Sequence, residues 1–175
     1  FCTIEPNIGK VAVPDERLTQ IGAIAHSAKI IPAQLEFVDI AGLVKGASQG
    51  EGLGNQFLAN IRETDAIIHV LRCFDDEDIT HVDGDVDPIR DAETIETELL
   101  IADLESLEKQ SEGIARKAKG GDKALKTQYE YMLRFKALLD RGQPAREIIP
   151  ANDDEVGWSK QMGLLTAKPV LYVCN

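Results

Sequence analysis

The chain has 175 residues, of which 43% are hydrophobic, so it can form the core of one domain, or of one domain with an insertion. Its 19 basic and 30 acidic residues give a formal net charge of −11, which disfavours general nucleic-acid binding and gives no reason to expect sequence-specific DNA binding. The sequence shows no apolar run of about 18 residues and no signal peptide. We therefore expect a cytoplasmic protein without a membrane span.

The three cysteines, Cys2, Cys73 and Cys174, lie far apart in the sequence and form no C-x-x-C pair. Neither a disulfide framework nor a zinc site is therefore expected. Cys73 and Cys174 each end an apolar run, and we expect both to be buried free thiols.

The first residues predict a loop followed by a strand. On pattern alone, Thr3 is an ordinary turn residue. Residues 7–10 look like the end of a phosphate-binding loop, but the template G-x-x-x-x-G-K-[ST] fails at Ile4 and Val11. No other stretch of the 175 residues fits that template. Residues 10–13 alternate in polarity and predict a strand instead.

A short helix and a second strand come next. Asp15 is a suitable N-cap for the helix. The residues spaced along its apolar face are Leu18, Ile21 and Ile24. After Pro32, residues 33–38 predict a strand that leads directly into Asp39.

Asp39 and Gly42 form a D-x-x-G sequence at the end of this strand, and a glycine-rich loop follows through residue 54. Ligands of α/β sheets bind at the carboxyl ends of strands. An aspartate there can hold a metal-bound water and a glycine amide can reach a γ-phosphate, so the segment is typical of a nucleotide hydrolase. A flexible surface loop is the alternative.

Leu43 occupies the position at which many GTPases carry a water-orienting glutamine. A leucine side chain can neither donate nor accept a hydrogen bond. No catalytic residue can therefore be assigned from the sequence.

Residues 55–64 predict a helix, and the nearly continuous apolar run of residues 66–73 predicts a buried parallel strand. We interpret His69, within that run, as a core histidine rather than a catalytic one. The acidic residues that follow resemble the start of a calcium loop. However, Pro88 and Thr94 stand where such a loop requires Gly and Glu, so we interpret this segment as a solvated loop, with Asp87 capping the next helix.

Residues 92–118 and 123–139 carry apolar residues at spacings of three and four and are separated by a turn. The spacing predicts two helices that pack as an antiparallel, coiled-coil-like hairpin, with a longer arm on the order of 40 Å. An ordinary two-helix element of the core is the alternative, but the charge-rich outer faces favour a protruding, separable lobe. Val170–Cys174 predicts a further buried strand that ends at Asn175.

Several segments spread over the whole chain form a recognisable combination. They are FCTIEPN (1–7), VPDER (13–17), VDIAGLVKGA (38–47), GLGN (52–55), DITHV (78–82), DPIRD (87–91), GGDK (120–123) and KPVLYVCN (168–175). In this combination the chain closely resembles the Obg-like ATPase family, whose bacterial members are called YchF.

The resemblance implies an α/β fold: a P-loop NTPase G-domain with a mostly parallel sheet flanked by helices and an inserted helical hairpin. Residues 1–91 would be the first part of the G-domain, residues 92–141 the hairpin, and residues 142–175 the return to the G-domain. The family's phosphate loop would precede Phe1, and its TGS domain would follow this stretch. Residues 1–175 alone are therefore expected to bind nucleotide very weakly and to be inactive.

The resemblance also assigns roles to four residues. Thr3 would ligate Mg²⁺, and Asp39 would hold the same ion through a water molecule. The amide of Gly42 would sense the γ-phosphate, and Asn175 would contact the base as the first residue of the base-recognition motif.

The implied function is Mg²⁺-dependent binding and hydrolysis of ATP by a ribosome-associated regulatory ATPase. ATP would be preferred over GTP, because the family carries N-x-x-E where guanine-specific proteins carry N-K-x-D. Three alternatives stay open: a GTPase, a nucleotide-dependent switch with little hydrolysis, which Leu43 favours, and a helical interaction domain in which the sheet is only a scaffold. The D-x-x-G sequence argues against the last.

Overall fold

The computed structural model describes residues 7–40, 53–76, 78 and 85–175. The chain divides into two compact units, Phe1–Gly42 and Leu43–Asn175. No helix within the described ranges is both long enough and apolar enough to cross a membrane.

The first unit contains two antiparallel strands with a helix between them. Strand β1 spans Asn7–Ala12 and pairs with β2, Gln34–Asp39, so that Asn7 lies opposite Asp39. Helix α1 spans Glu16–Ile24. Its N-cap is Asp15, whose side chain accepts a hydrogen bond of 3.0 Å from the amide of Arg17. The predicted cap and both predicted strands are therefore confirmed.

The predicted apolar face of α1 is not buried. Ile21 and Ile24 are 61% and 81% exposed, and the buried residue of this helix is Gly22. A Cβ atom at Gly22 would lie 2.6 Å from Cδ1 of Ile30. The helix is therefore packed through close backbone approach at a glycine, which hydrophobic spacing does not predict.

The second unit begins with α2, Leu53–Arg62, and two parallel strands, β3 at Ile67–Leu71 and β4 at Val170–Cys174. The predicted parallel pairing is confirmed, with Ile67 opposite Val170 and Leu71 opposite Cys174. The prediction that both strands are buried is wrong. One face of this two-stranded sheet packs towards the helix that follows it in the chain, but the other is exposed. The residues of the exposed face are Ile68, Val70, Leu171 and Val173.

The predicted helical hairpin is present. Helix α3 spans Pro88–Ala118 and α4 spans Lys123–Leu139. α3 starts four residues earlier than its hydrophobic spacing predicts, because Asp87 caps it by accepting hydrogen bonds from the amides of Ile89 and Arg90. At about 1.5 Å per residue its 31 residues span about 46 Å. Gly121, with φ of 88°, permits the turn between the helices.

Two short 3-10 turns and helix α5 complete the second unit. They are the first turn at Ala145–Glu147, α5 at Asp153–Met162 and the second turn at Leu165–Ala167. Gly163, with φ of 59°, ends α5 in the left-handed conformation that favours glycine.

The hydrophobic core of the second unit lies between the hairpin and this returning segment. Its buried members are Leu107, Tyr131, Met132, Phe135, Leu139, Ala145, Met162 and Leu164. Polar contacts cross the same boundary: the hydroxyls of Tyr131 and Ser159 are 2.9 Å apart. The domain boundaries at residues 91 and 141 and the separability of the hairpin stay predictions. The expectation that the hairpin's seam is internal to it is wrong, because its buried core extends to Ala145, Met162 and Leu164.

We expect that replacing residues 92–141 by a short linker in the complete protein destroys the folding of this unit. The replacement removes five members of the core, and each large apolar side chain contributes about 2–5 kcal/mol, against a total stability of about 5–15 kcal/mol. Thermal unfolding followed by circular dichroism, with limited proteolysis, measures the effect.

A matched control shortens only the tip of the hairpin, by deleting residues 115–118 and 123–126 together. These residues contribute no member of the buried core, so cooperative unfolding should be retained. Cooperative unfolding of the linker variant near the parent temperature would instead show that the hairpin is an independent lobe.

Candidate functional site

Asp39 is the last residue of β2, with its side chain exposed at the carboxyl end of the strand. Its backbone is fixed by the pairing of β1 with β2, in which it lies opposite Asn7. A carboxylate is a hard oxygen donor of the kind that Mg²⁺ prefers. The sequence-predicted position, an acid at the end of a strand, is therefore the observed one.

Asn175 directly follows β4 and its backbone continues the ladder with β3. Its amide donates a hydrogen bond of 2.9 Å to the carbonyl oxygen of Leu71, and its own carbonyl accepts one of 2.5 Å from the amide of Cys73. The side chain is exposed. The main chain at Asn175 is thus held in place while its amide side chain is free to meet a ligand.

The segment after β3, beside Asn175, is held by the Arg72 side chain. Its guanidinium donates hydrogen bonds to the carbonyl oxygens of Phe74, at 3.1 Å, and Asp76, at 3.2 Å. It also lies over the Phe74 ring, 4.9 Å from the ring centroid. These contacts hold the residues that follow β3 in place.

Asp103 on α3 holds the segment that leads into β4. Its side chain is 1% exposed. One carboxylate oxygen accepts from the amide of Leu165 at 2.7 Å, and the other accepts from the amide of Thr166 at 2.8 Å and from its hydroxyl at 2.6 Å. The Thr166 hydroxyl oxygen in turn accepts from the amide of Ala145 at 3.0 Å. The start of β4 is therefore fixed to the middle of α3.

Burial raises the pKa of Asp103, and the hydrogen bonds from Thr166 and Leu165, with the charge of Arg62, offset part of that rise. Burial acts this way because it disfavours the charged form of a carboxyl group. The pKa of Asp103 is raised overall because removal of the carboxylate from water outweighs the effect of the donors around it.

Lys168 makes a second attachment at the same place. Its ammonium group donates to the carbonyl oxygen of Arg62, at 3.0 Å, and to that of Thr64. These carbonyls lie at the end of α2 and just before β3, so Lys168 joins the start of β4 to the start of its neighbour. Burial lowers the pKa of this lysine.

His69 is half-buried on the face of β3 that packs towards α3. Its ring lies 5.7 Å from that of Tyr172, its partner residue on β4. Burial lowers its pKa, while the charges of Asp91 and Glu96 oppose that shift. The neutral form is therefore favoured, and its role as a core residue stays a prediction.

Of the four residues given site roles from the sequence, Thr3 and Gly42 lie outside the described residues, as does Leu43. Asp39 and Asn175 belong to separate compact units, each at the end of its own strand. Within the described ranges, no group of three or more His, Cys, Asp or Glu side chains is placed to hold a metal ion.

A family model and several known proteins match this chain. The model of the family described as 50S ribosome-binding GTPase matches residues 1–119. The chain belongs to this family. Two curated relatives, each named ribosome-binding ATPase YchF, come from Bacillus subtilis and Haemophilus influenzae. They are 48% and 49% identical over the whole chain, and the chain covers 48% of each.

A solved structure, that of the Schizosaccharomyces pombe YchF GTPase, matches 99% of the chain at 45% identity with a TM-score of 0.76, and 47% of that protein is covered. The resemblance to YchF and the predicted α/β P-loop NTPase fold are therefore confirmed. The chain spans about half the length of the relatives it matches. The names of these proteins differ on the base, since the curated relatives are called ATPases and the solved structure a GTPase.

Sequence reasoning missed Asp103, Thr166 and Lys168, the residues that place β4. One signal was available: Asp103 lies one residue before Leu104 and four before Leu107 on the apolar side of α3. An acid on the apolar side of a helix either is buried or prevents that side from packing closely against its neighbours. Lys168 gave no such signal, because a lysine just before a strand is usually exposed.

We expect Asp103→Asn to lower the free energy of unfolding by about 1–3 kcal/mol, because an amide cannot accept the bonds to both Leu165 and Thr166. Chemical denaturation measures this loss. Glu105→Gln, an exposed change on the same helix, is the control and should lie within about 0.5 kcal/mol of the parent protein.

The pH dependence of the stability lost in Asp103→Asn tests whether the pKa of Asp103 is raised. A folded pKa above the unfolded value, near 3.9, means that the folded state binds more protons between the two values. The stability of the parent protein from this group therefore falls as pH rises through that window, and the cost of Asp103→Asn should shrink. A cost that grows with pH would show that the hydrogen bonds outweigh burial.

Proposed function

We propose that the protein binds a purine nucleoside triphosphate together with Mg²⁺ and hydrolyses it, with ATP preferred over GTP, as a ribosome-associated regulatory ATPase. The observation that carries this proposal is the exposed Asp39 carboxylate at the end of β2, followed by Gly42 in a D-x-x-G sequence. It lies within the residues that match the GTPase family model.

Each of the four site residues has a distinct role in this proposal. The hydroxyl of Thr3 would ligate Mg²⁺ and the carboxylate of Asp39 would hold it through a water molecule. The amide of Gly42 would bind the γ-phosphate, and the side chain of Asn175 would contact the base. Magnesium, when bound, neutralises the charge that develops on the phosphate oxygens as water attacks in line.

The exposed position of Asp39 fits this use. A carboxylate that holds a hydrated Mg²⁺ must reach solvent, because Mg²⁺ retains several of its waters. The described residues neighbouring Asp39 include its backbone partner Asn7, whose side chain is also exposed and polar. The strand end therefore offers oxygen donors without burying a charge.

Two alternatives are supported by specific observations. Leu43 cannot orient an attacking water, which favours a nucleotide-dependent switch with little hydrolysis. Single-turnover hydrolysis by the complete protein separates a switch from a working enzyme. The family model and the solved structure are both named as GTPases, which favours a GTPase, and competition between the two bases tests this alternative.

The ribosome is the proposed partner, and the cytoplasm the proposed location. The curated relatives are named as ribosome-binding ATPases, and at a net charge of −11 this stretch does not favour general attraction to RNA. Ribosome contact would therefore depend on a local surface rather than on overall charge. Residues 1–175 themselves contain no phosphate-loop sequence, so they alone would bind nucleotide very weakly.

In the complete protein, we expect Asp39→Ala and Thr3→Ala to abolish most Mg²⁺-dependent ATP binding and turnover, because each removes a contact to the ion. Titration calorimetry with and without Mg²⁺, together with phosphate release, measures both effects. Glu36→Ala is the matched control, since Glu36 is an exposed acid on the same strand that pairs with Lys10. An Asp39→Ala or Thr3→Ala variant that turns over ATP at the parent rate would refute the role given to that residue.

We also expect ATP to bind more tightly than GTP. Guanine recognition needs an acid three residues after the asparagine, which accepts from N1 and N2 of the base, whereas adenine offers only its N6 amine as a donor. A site that pairs with one base leaves buried groups unpaired with the other, so discrimination of roughly 10²-fold or more is reasonable. Competition binding on the complete protein measures it, and tighter displacement by GTP would restore an ordinary GTPase.

A further inference from the structure

Cys73 and Cys174 are exposed free thiols on neighbouring strands of the second unit. The expectation that both are buried is therefore wrong. The reason lies in their positions: Cys73 follows the end of β3 and Cys174 ends β4. Apolar character alone does not predict burial in these strands, since the central Val70 is exposed as well.

The two side chains lie on the same side of the sheet. Cys174 is opposite Leu71 in the parallel register, and Cys73 lies two residues beyond Leu71. The hydrogen bonds of Asn175 with Leu71 and Cys73 continue the ladder past the end of β3. Since residues two apart in an extended chain point the same way, the thiols of Cys73 and Cys174 face each other diagonally.

The surroundings of Cys73 affect its reactivity. The pKa of the Cys73 thiol is raised, first by partial removal from water and then by the neighbouring Cys174 thiol, while a hydrogen bond with the backbone of Asn175 partly offsets the rise. Less thiolate is therefore present at neutral pH, so oxidation should be slow there and faster at alkaline pH.

We propose that Cys73 and Cys174 form a reversible intramolecular disulfide that responds to peroxide. The thiolate of one cysteine attacks an oxygen of hydrogen peroxide, which gives a sulfenic acid and releases one water after proton transfer. The thiol of the other cysteine attacks that sulfur and releases a second water. In the net reaction two thiols lose two hydrogens, peroxide is reduced to two waters, and one S–S bond forms.

The geometry needs only a local adjustment. Neighbouring strands lie about 4.8 Å apart, and a disulfide requires Cα atoms roughly 4.4–6.8 Å apart. Two residues along a strand add about 6.6 Å, so the Cα atoms of a diagonal pair lie roughly 8 Å apart and the backbone must close by at least about 1 Å. The segment that would move, residues 72–76, lies outside the regular strand, and the hydrogen bonds of the Arg72 side chain that hold it would have to adjust.

Oxidation would act on Asn175, and this consequence rests on the proposed role of that residue at the base. Asn175 follows Cys174 in the chain, and its carbonyl accepts the hydrogen bond from the amide of Cys73. A bond between the two sulfurs would draw Cys174, which precedes Asn175, towards Cys73, which is hydrogen-bonded to Asn175. The side chain of Asn175 would shift as a result. Loss of about one hydrogen bond to the base would weaken nucleotide binding roughly threefold to tenfold.

The test uses the complete protein treated with hydrogen peroxide and then with dithiothreitol, and peptide mapping by mass spectrometry. We expect a Cys73–Cys174 linked peptide that is lighter by two hydrogens, forms faster at higher pH and disappears on reduction. Cys73→Ser and Cys174→Ser should each abolish it, whereas Cys2→Ser should retain it. Absence of the link, or its formation only between two protein molecules, would overturn the proposal whether or not nucleotide binds.

A second measurement separates the disulfide from its effect on the base. The affinity for a fluorescent ATP analogue is compared before and after oxidation in two backgrounds, Cys2→Ser and Cys2→Ser with Cys73→Ser. A threefold to tenfold loss confined to the first background supports the coupling to Asn175. An unchanged affinity in a protein that carries the link overturns that coupling but not the disulfide. Failure of the reduced protein to bind nucleotide would instead overturn the proposed function.

Discussion

The buried carboxylate of Asp103 is the interaction on which the arrangement of the second unit depends. Moving a carboxylate out of water costs several kcal/mol, and the cost is offset only when donors surround it in good geometry. Here two backbone amides and a hydroxyl offset part of that cost. Because these donors come from two consecutive residues, they fix both the position and the orientation of the second 3-10 turn on α3.

The position of β4 follows from that constraint. The second 3-10 turn leads into β4 within three residues, and Lys168 attaches the same stretch to the residues before β3. The ladder between β3 and β4 then carries the geometry to Asn175. The buried carboxylate of Asp103 thus fixes the start of β4 and, through that strand, the position of Asn175, which has a proposed role at the base.

The sequence predicts the elements of this protein better than it predicts their burial. Helices α2, α3 and α4 and all four strands follow from hydrophobic spacing and from caps such as Asp15 and Asp87, because these signals are local. The exposed Val70 and the buried Gly22 do not follow, because burial depends on what packs against a residue from elsewhere in the chain. The contact between Cys73 and Cys174 joins residues about 100 positions apart, and only the strand register reveals it.

The same distinction applies to the candidate site. Asp39 is recognisable because its chemistry and its place at a strand end are both visible in a short stretch. Asp103 is hard to recognise because its place on the apolar side of α3 is one weak signal in a charged helix, and its partners lie more than 60 residues later. Residues that bind ligands can therefore be read from motifs more readily than the residues that hold them in place.

The length of α3 beyond Asp103 has a mechanical consequence. Asp103 fixes the helix near its middle, and the fifteen residues from there to Ala118 extend about 22 Å at 1.5 Å per residue. A tilt of the packed hairpin about Asp103 would therefore move its tip further than the segment leading to β4. A tilt of about 5° at Asp103 would displace the tip by about 2 Å. A partner bound at the tip would thus be displaced by about 2 Å, whereas the residues near β4 would move by only a fraction of an ångström.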